Sequence, residues 1–146
     1  MAEKLWINAN KENSTFFSVC RYGNVIGSNG SIIPVFKRLI EQGIKSLPVT
    51  DERMTRFWFK MDDAIEFVLD SLDKMQGGEM FIPKIPSVLI TDVIKAFNMP
   101  YHVIGIREGE KIHEFMIPPD EITGSEGYSS GNNTHFLTVE EIKEDL

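Results

Sequence analysis

The side chains of this 146-residue sequence best equipped for chemistry are arginines set beside aromatics, glycine turns and strand ends. Arg53-Met54-Thr55-Arg56-Phe57-Trp58 places two guanidinium groups next to aromatic rings, and Arg107-Glu108-Gly109-Glu110-Lys111 follows an extended run. A planar guanidinium bonds two phosphate oxygens at once, and strand ends are where open α/β sheets bind ligands. Solvated charges at loop tips are the other reading of the same residues. Between a strand and a helix lies Gly23-Asn24-Val25-Ile26-Gly27-Ser28-Asn29-Gly30, a Gly-x-x-x-Gly-x-x-Gly spacing. Backbone amides at a helix N-terminus can cradle a phosphate at such a place. The spacing narrowly misses the dinucleotide fingerprint, which needs an acid about twenty residues on, at a second strand. Here Glu41 and Lys45 fall within or just after the next helix. Phosphate or sugar contact and a plain glycine-rich turn therefore both stand.

Other chemistries have less to work with. His102, His113 and His135 have no paired spacing with one another or with Cys20 that suits a metal, and no Gly-x-Ser-x-Gly elbow occurs. Acidic side chains outnumber basic ones 22 to 15, a net charge of -7. A general affinity for nucleic acid or anionic lipid is excluded on that balance, so any anion must be held by a few local arginines. No apolar stretch approaches the roughly 20 residues that cross a bilayer, and the opening Met1-Ala2-Glu3-Lys4-Leu5-Trp6 has no secretory pattern. The lone Cys20 suits a reducing cytoplasm.

Elements that position these residues follow an α/β alternation without repeats. Ala2, Leu5, Trp6 and Ala9 lie at helical spacing over residues 1–12, with Asn13-Ser14 as the stop, and Phe16 to Tyr22 reads as a strand buried on both faces. Ser31 is placed to cap a helix carrying Ile32, Phe36, Leu39 and Ile40 and ending at Gly43, with Pro34 tolerated in the first turn. Leu47 to Thr50 and Arg56 to Phe59 read as short extended pieces, the first confined to a sheet edge by Pro48. Met61, Ala64, Ile65, Val68, Leu69, Leu72 and Met75 form one helical stripe before Gly77-Gly78. Met80 to Ile82 predicts a strand, Thr91 to Phe97 a helix, Tyr101 to Ile106 an extended run and Glu110 to Met116 a short helix. Pro118 to Asn133 reads as a mobile loop, and Thr138 with Glu141, stapled by Leu137 and Ile142, predicts a terminal helix.

Four stretches in order resemble consecutive motifs of the inverting UDP-N-acetylglucosamine 4,6-dehydratases, which are extended short-chain dehydrogenase/reductases of bacterial surface-polysaccharide and flagellin-sugar synthesis. They are Arg21 to Ser31, Thr50 to Trp58, Gly78 to Lys84 and Ile104 to Glu114. The tail Tyr128-Ser129-Ser130-Gly131-Asn132-Asn133 is similar to that family's C-terminus, although only Pro119 to Gly127 separates it from Met116-Ile117-Pro118. The resemblance covers the C-terminal half of such an enzyme. It implies a Rossmann-like α/β fold with most of the parallel sheet missing, in which 1–30 is the remnant of the Rossmann-like part, 31–117 the substrate-binding subdomain and 118–146 a loop and terminal helix. The opening helix resembles one that begins just after the family's catalytic lysine, so Met1 is expected to be internal to a longer frame.

In that family the reaction oxidises the sugar at its fourth carbon with NADP, eliminates water across the fifth and sixth, and returns hydride to the sixth with inversion at the fifth. The glycine turn for NADP and the Tyr-x-x-x-Lys pair belong to the N-terminal half. Here Tyr22, Tyr101 and Tyr128 are followed four residues later by Ile26, Gly105 and Asn132. The chain alone is therefore expected to be inactive and not to bind NADP. By motif position the resemblance assigns Asn24 to the substrate near the cofactor junction and Tyr22 to the nicotinamide side. It also assigns Arg56 and Arg107 to the UDP diphosphate, Glu110 to the ribose, and Ser28 to Ser31 to the sugar pocket. The expected ligand is UDP-N-acetylglucosamine or a related UDP-sugar, and the expected partner an NADP-binding chain or a second copy. A stand-alone nucleotide-sugar binding or regulatory module is the rival reading, and a remnant without ligand the third.

Overall fold

Helical stripes and strand-forming runs alternate in the structure as they do in the sequence, and the chain is α/β. The structure, a computed structural model, describes residues 2–10, 14–28, 30–121 and 125–146. In chain order its elements are α1 (Ala2–Ala9), β1 (Val19–Cys20), α2 (Ile32–Glu41), β2 (Leu47–Val49) and β3 (Thr55–Phe57). They continue with α3 (Met61–Lys74), β4 (Met80–Phe81), β5 (Ser87–Leu89), α4 (Ile90–Ala96), β6 (Tyr101–Val103), β7 (Phe115–Ile117), β8 (Tyr128–Ser129) and α5 (Val139–Lys143). Two units form from these, a smaller one of Met1–Tyr22 with Lys60–Lys84 and a larger one of Gly23–Phe59 with Ile85–Leu146. Among the described residues no helix is long and apolar enough to cross a membrane. The end of the predicted first helix and Asn13 of its stop lie outside the described residues.

In the smaller unit β1 runs parallel to β4, with Val19 opposite Met80 and Cys20 opposite Phe81. The strand expected over Phe16 to Tyr22 is thus shorter than its apolar run and is not buried on both faces, since Phe16 is 68% exposed. Two-sided burial of a parallel strand needs further strands and crossover helices, and among the described residues β1 has β4 alone. The apolar stripe of α3 is likewise open to solvent at Met61, Ile65, Leu69 and Leu72, and only Ala64 and Ser71 of that helix are buried. Polar side chains do the tying instead. The Asn10 side chain brackets Phe17, its Nδ2 donating to the carbonyl at 2.7 Å and its Oδ1 accepting from the amide at 2.8 Å. Arg21 forks onto Glu3 through Nε and Nη2 at 2.8 and 2.7 Å. Gly77, at φ 107, passes so close to Asn10 that a Cβ would fall 2.6 Å from its Oδ1.

Glu79 closes this unit. Its carboxylate accepts from the Ser18 hydroxyl and from the amides of Gly77 at 2.9 Å and Gln76 at 3.0 Å. The Ser18 bond first, then the backbone amides, hold its pKa at about 2 against an ordinary value of 4.5. A carboxyl with a depressed folded-state pKa contributes stability that is complete above the unfolded value and is lost as pH falls through the folded one. Acidification from pH 4.5 toward about 2 is therefore expected to loosen the β1–β4 pairing, and Glu79→Gln to flatten that dependence. A carboxyl carbon titration by NMR with a midpoint at the ordinary value would contradict this.

The larger unit holds the apolar core, in which Leu47, Val88, Val93, Ile94 and Ile142 are fully buried and Trp58 nearly so. β2 pairs parallel with β6, Leu47 opposite Tyr101 and Val49 opposite Val103, and Pro48 is accommodated because β2 bonds β6 alone among the described strands. β3 and β5 are antiparallel, with Thr55 opposite Leu89 and Phe57 opposite Ser87. α2 ends at Gly43 in the left-handed conformation, φ 81. α5 is fixed by the expected capping box. Thr138 Oγ1 accepts from the Glu141 amide at 3.3 Å and the Glu141 carboxylate accepts from the Thr138 amide at 2.8 Å.

Two expectations fail near the tail. No helix forms over Glu110 to Met116, because Phe115–Ile117 is a strand paired antiparallel with Tyr128–Ser129. The same pairing removes part of the expected 118–133 loop, whose Ser129 and Ser130 are buried. Cross-strand bonds between segments distant in sequence outweighed a local helical spacing. Ile122, Thr123 and Gly124 of that loop lie outside the described residues.

Candidate functional site

A cavity of about 500 Å³ opens in the larger unit, lined by Asn24, Ser31, Arg56, Trp58, Arg107 and Glu110 among others. Five residues singled out from the sequence therefore meet at one place. Ser28 sits in the turn just before α2 without lining the cavity, its carbonyl accepting from the Ser31 amide at 2.9 Å. Asn29 lies outside the described residues. Tyr22 belongs to the smaller unit, where its ring meets Phe67 edge-on at 6.2 Å.

The two arginines of the first cluster behave differently. Arg53 folds back on Asp51, with Nε and Nη2 at 2.9 and 2.7 Å from its two oxygens, and its own amide caps the same carboxylate. The Arg53 side chain, and then its amide, hold the Asp51 carboxyl at about 2, so this arginine stabilises a turn. Arg56 lies on β3, where strand pleating sends it to the face opposite buried Thr55 and Phe57. Its Nη1 donates to the carbonyls of Thr55 at 2.7 Å and Ile112 at 3.1 Å, and its Nε stands 3.9 Å from Glu114. Among the described residues Nη2 makes no hydrogen bond, which leaves one edge of the guanidinium for a ligand.

Arg107 and Glu110 follow β6. Because β2 and β6 are parallel, their carboxyl ends share one edge, and Glu110 joins the loops there. It accepts from Thr50 Oγ1 at 3.0 Å and from the Arg107 amide at 3.4 Å. Such an edge is the usual ligand crevice of a parallel sheet. Arg107 itself is exposed and forms no ion pair among the described residues.

Ser31 departs from expectation in an informative way. It occupies the N-cap of α2, yet its side chain makes no capping bond, and its buried Oγ has no hydrogen-bond partner among the described residues. An N-cap oxygen takes the amide of the second or third helical residue, and the third here is Pro34, which has none. The glycine-rich loop, in contrast, has engaged part of its amides. Ile26 donates to Phe59 at 2.8 Å, Ser28 to Val25 at 3.3 Å and Ser31 to Ser28 at 2.9 Å. Beside the loop, the Ser31 hydroxyl is left without a partner among the described residues.

Sequence reading passed over Glu114 and Ser130 as site residues. Ser130, fully buried, exchanges two bonds with the Glu114 backbone: its amide donates to the Glu114 carbonyl at 2.8 Å and its Oγ accepts from the Glu114 amide at 2.9 Å. The same Oγ lies 2.7 Å from Thr55 Oγ1, which also meets His113 Nδ1 at 2.8 Å. Glu114 closed the fourth stretch and Ser130 stood in the tail motif, but the partners of Ser130, 16 and 75 residues away, were not visible. Ser130→Ala strands the partly buried Glu114 amide and is expected to cost about 1–3 kcal/mol of stability, measured by urea unfolding. An unchanged midpoint would show that another group takes over the amide.

Comparison with known proteins gives consistent results. A family model described as polysaccharide biosynthesis protein matches residues 1–133. Over 125 residues the chain is 52% identical to a UDP-N-acetylglucosamine 4,6-dehydratase (inverting) of Campylobacter jejuni, a match covering 82% of this chain and 37% of that one. It is 36% identical over 135 residues to a UDP-glucose 4-epimerase of Rickettsia bellii, covering 86% of this chain and 39% of the relative. Among solved structures, Pen from Bacillus thuringiensis superposes with a TM-score of 0.79 at 27% identity, covering 98% of this chain and 53% of that one. The chain thus spans well under half the length of these curated relatives.

Proposed function

The chain belongs to the polysaccharide biosynthesis protein family, and from that premise we propose that it is the UDP-sugar-binding part of a UDP-N-acetylglucosamine 4,6-dehydratase-like protein. The observation that carries this reading is the convergence on one cavity of two guanidiniums, a serine hydroxyl without a partner among the described residues and an anchored carboxylate. Arg56 and Arg107 hold the diphosphate, Glu110 the ribose, and Asn24 with Ser31 the sugar, while Ser28 shapes the turn that presents Ser31. A cavity of about 500 Å³ is within the usual range of roughly 300–1,000 Å³ for small-molecule sites.

Redox chemistry in this reading needs NADP, which would take hydride from the sugar and return it. The Gly-x-x-x-Gly-x-x-Gly spacing of the loop is not the fingerprint of its cradle, and the loop amides of Ile26 and Ser28 are engaged within the chain. We assign the cofactor to an NADP-binding half carried by another segment or chain, with Tyr22 and Asn24 as the cofactor-side residues that the family resemblance indicates. Support comes from the smaller unit, whose exposed Phe16, Ile65, Leu69 and Leu72 and open β1–β4 pair want further parallel strands as neighbours. The core of the larger unit favours a second reading, a module that binds nucleotide sugar without catalysis.

Isothermal titration of the purified chain with UDP-N-acetylglucosamine, then with UDP alone, tests the site. Saturable binding with the sugar nucleotide tighter than UDP is expected, and no stabilisation or heat at millimolar ligand overturns both readings. Adding an NADP-binding half and NADP separates them, since turnover appears only under the first.

A further inference from the structure

We propose that Glu114 is a positioning residue that couples the diphosphate and sugar contacts of the cavity through one carboxylate; this rests on the nucleotide-sugar reading above. Its Oε1 accepts from Asn24 Nδ2 at 3.3 Å and lies 3.9 Å from Arg56 Nε, while its Oε2 accepts from the Phe57 amide at 3.1 Å. Asn24 comes from the loop before α2, Arg56 and Phe57 from β3, and Glu114 from the residue before β7, so three segments distant in sequence share two oxygens. The Glu114 side chain is 23% exposed and that of Arg56 24%, which keeps the pair less screened than a surface ion pair.

Physical consequences follow from the bond inventory. Arg56 is held at Nη1 by two carbonyls, with the carboxylate 3.9 Å from its Nε as an ion-pair neighbour, so its planar fork is oriented before any ligand arrives. A pre-ordered fork loses less conformational freedom on binding an anion than a free one. Asn24, exposed and carried by a turn, gains its fixed amide from the same carboxylate. Glu114 in turn cannot drift, because Ser130 grips both its amide and its carbonyl. Glu114 makes no ligand bond in this account; it acts through Asn24 and Arg56.

Double-mutant cycles on UDP and UDP-N-acetylglucosamine binding, paired with NMR of the ligand-free protein, test the assignment. Glu114→Ala is expected to weaken UDP-N-acetylglucosamine binding and to shrink the separate effects of Arg56→Ala and Asn24→Ala, with coupling factors of roughly two- to 150-fold. Glu114→Gln keeps an acceptor but loses the charge. It is expected to retain coupling to Asn24 and to lose coupling to Arg56. In the free protein, Glu114→Gln is expected to shift the Arg56 Nε–H and Asn24 Nδ2 resonances while leaving the core methyl spectrum in place. Multiplicative, uncoupled effects overturn the proposal even where Glu114→Ala lowers stability. If the wild-type chain binds neither nucleotide, the site reading fails, and unmoved side-chain resonances then overturn the positioning role as well.

Discussion

Trp58→Ala is expected to lower the stability of the larger unit by about 3–5 kcal/mol, the range for removing a buried large aromatic. Trp58 is 3% exposed and belongs to the core cluster, and it also lines the cavity. Its amide donates to the Pro86 carbonyl at 2.8 Å, and its indole Nε1 donates to Asp145 Oδ2 at 2.8 Å, fastening the last turn of the chain. Truncation removes packing, opens a void and leaves Asp145 without the indole bond. Against the roughly 5–15 kcal/mol of a typical domain this is a large share. Trp58→Phe separates the contributions, for it keeps most of the ring and gives up the hydrogen bond, so its loss should be clearly smaller. Urea unfolding monitored by circular dichroism and by the methyl NMR signals of the larger unit's core reads both. A loss below about 1 kcal/mol for the alanine variant would mean that the core collapses into the space without penalty.

Arg56→Ala and Arg107→Ala are each expected to weaken UDP-N-acetylglucosamine binding by about 1.5–3 kcal/mol, the range for hydrogen bonds to charged groups. That is roughly tenfold to more than a hundredfold in Kd. The two differ in their side effects. Arg56 also satisfies the carbonyls of Thr55 and Ile112, so its alanine variant loses some stability as well. Arg107 is exposed and without an ion pair among the described residues, so Arg107→Ala should leave unfolding unchanged and report on binding alone. Lysine at either position should recover part of the attraction but not the two-oxygen geometry of a guanidinium. Titrations unchanged in both alanine variants would remove the diphosphate assignment.

Much of this protein was legible as residues in order. The stripe of α3, the capping box of α5, the turn at Gly43 and the edge placement of β2 follow from local spacing, because helix periodicity, caps and proline act within a few residues. The strand at Phe115–Ile117 was not legible, since its partner lies beyond a turn whose closure no local signal specifies. Pro34 removes one of the two amides that Ser31 could cap, a feature present in the sequence, but the buried hydroxyl acquired meaning only beside the cavity.

The same division holds for the site. Residue types and family motifs were enough to name Asn24, Ser31, Arg56, Arg107 and Glu110 as binding candidates and to show that a tyrosine–lysine pair is missing from this stretch. They could not separate Arg53 from Arg56, two guanidiniums three residues apart. One is folded onto Asp51 and the other is held at a cavity by carbonyls and a carboxylate from distant segments. Nor could they reveal Glu114 and Ser130 as the pieces that fix that arginine. Local patterns record what the chain does over one or two turns, whereas the direction of a side chain is set by bonds across 56 to 90 residues of sequence, which exist only once the strands have paired.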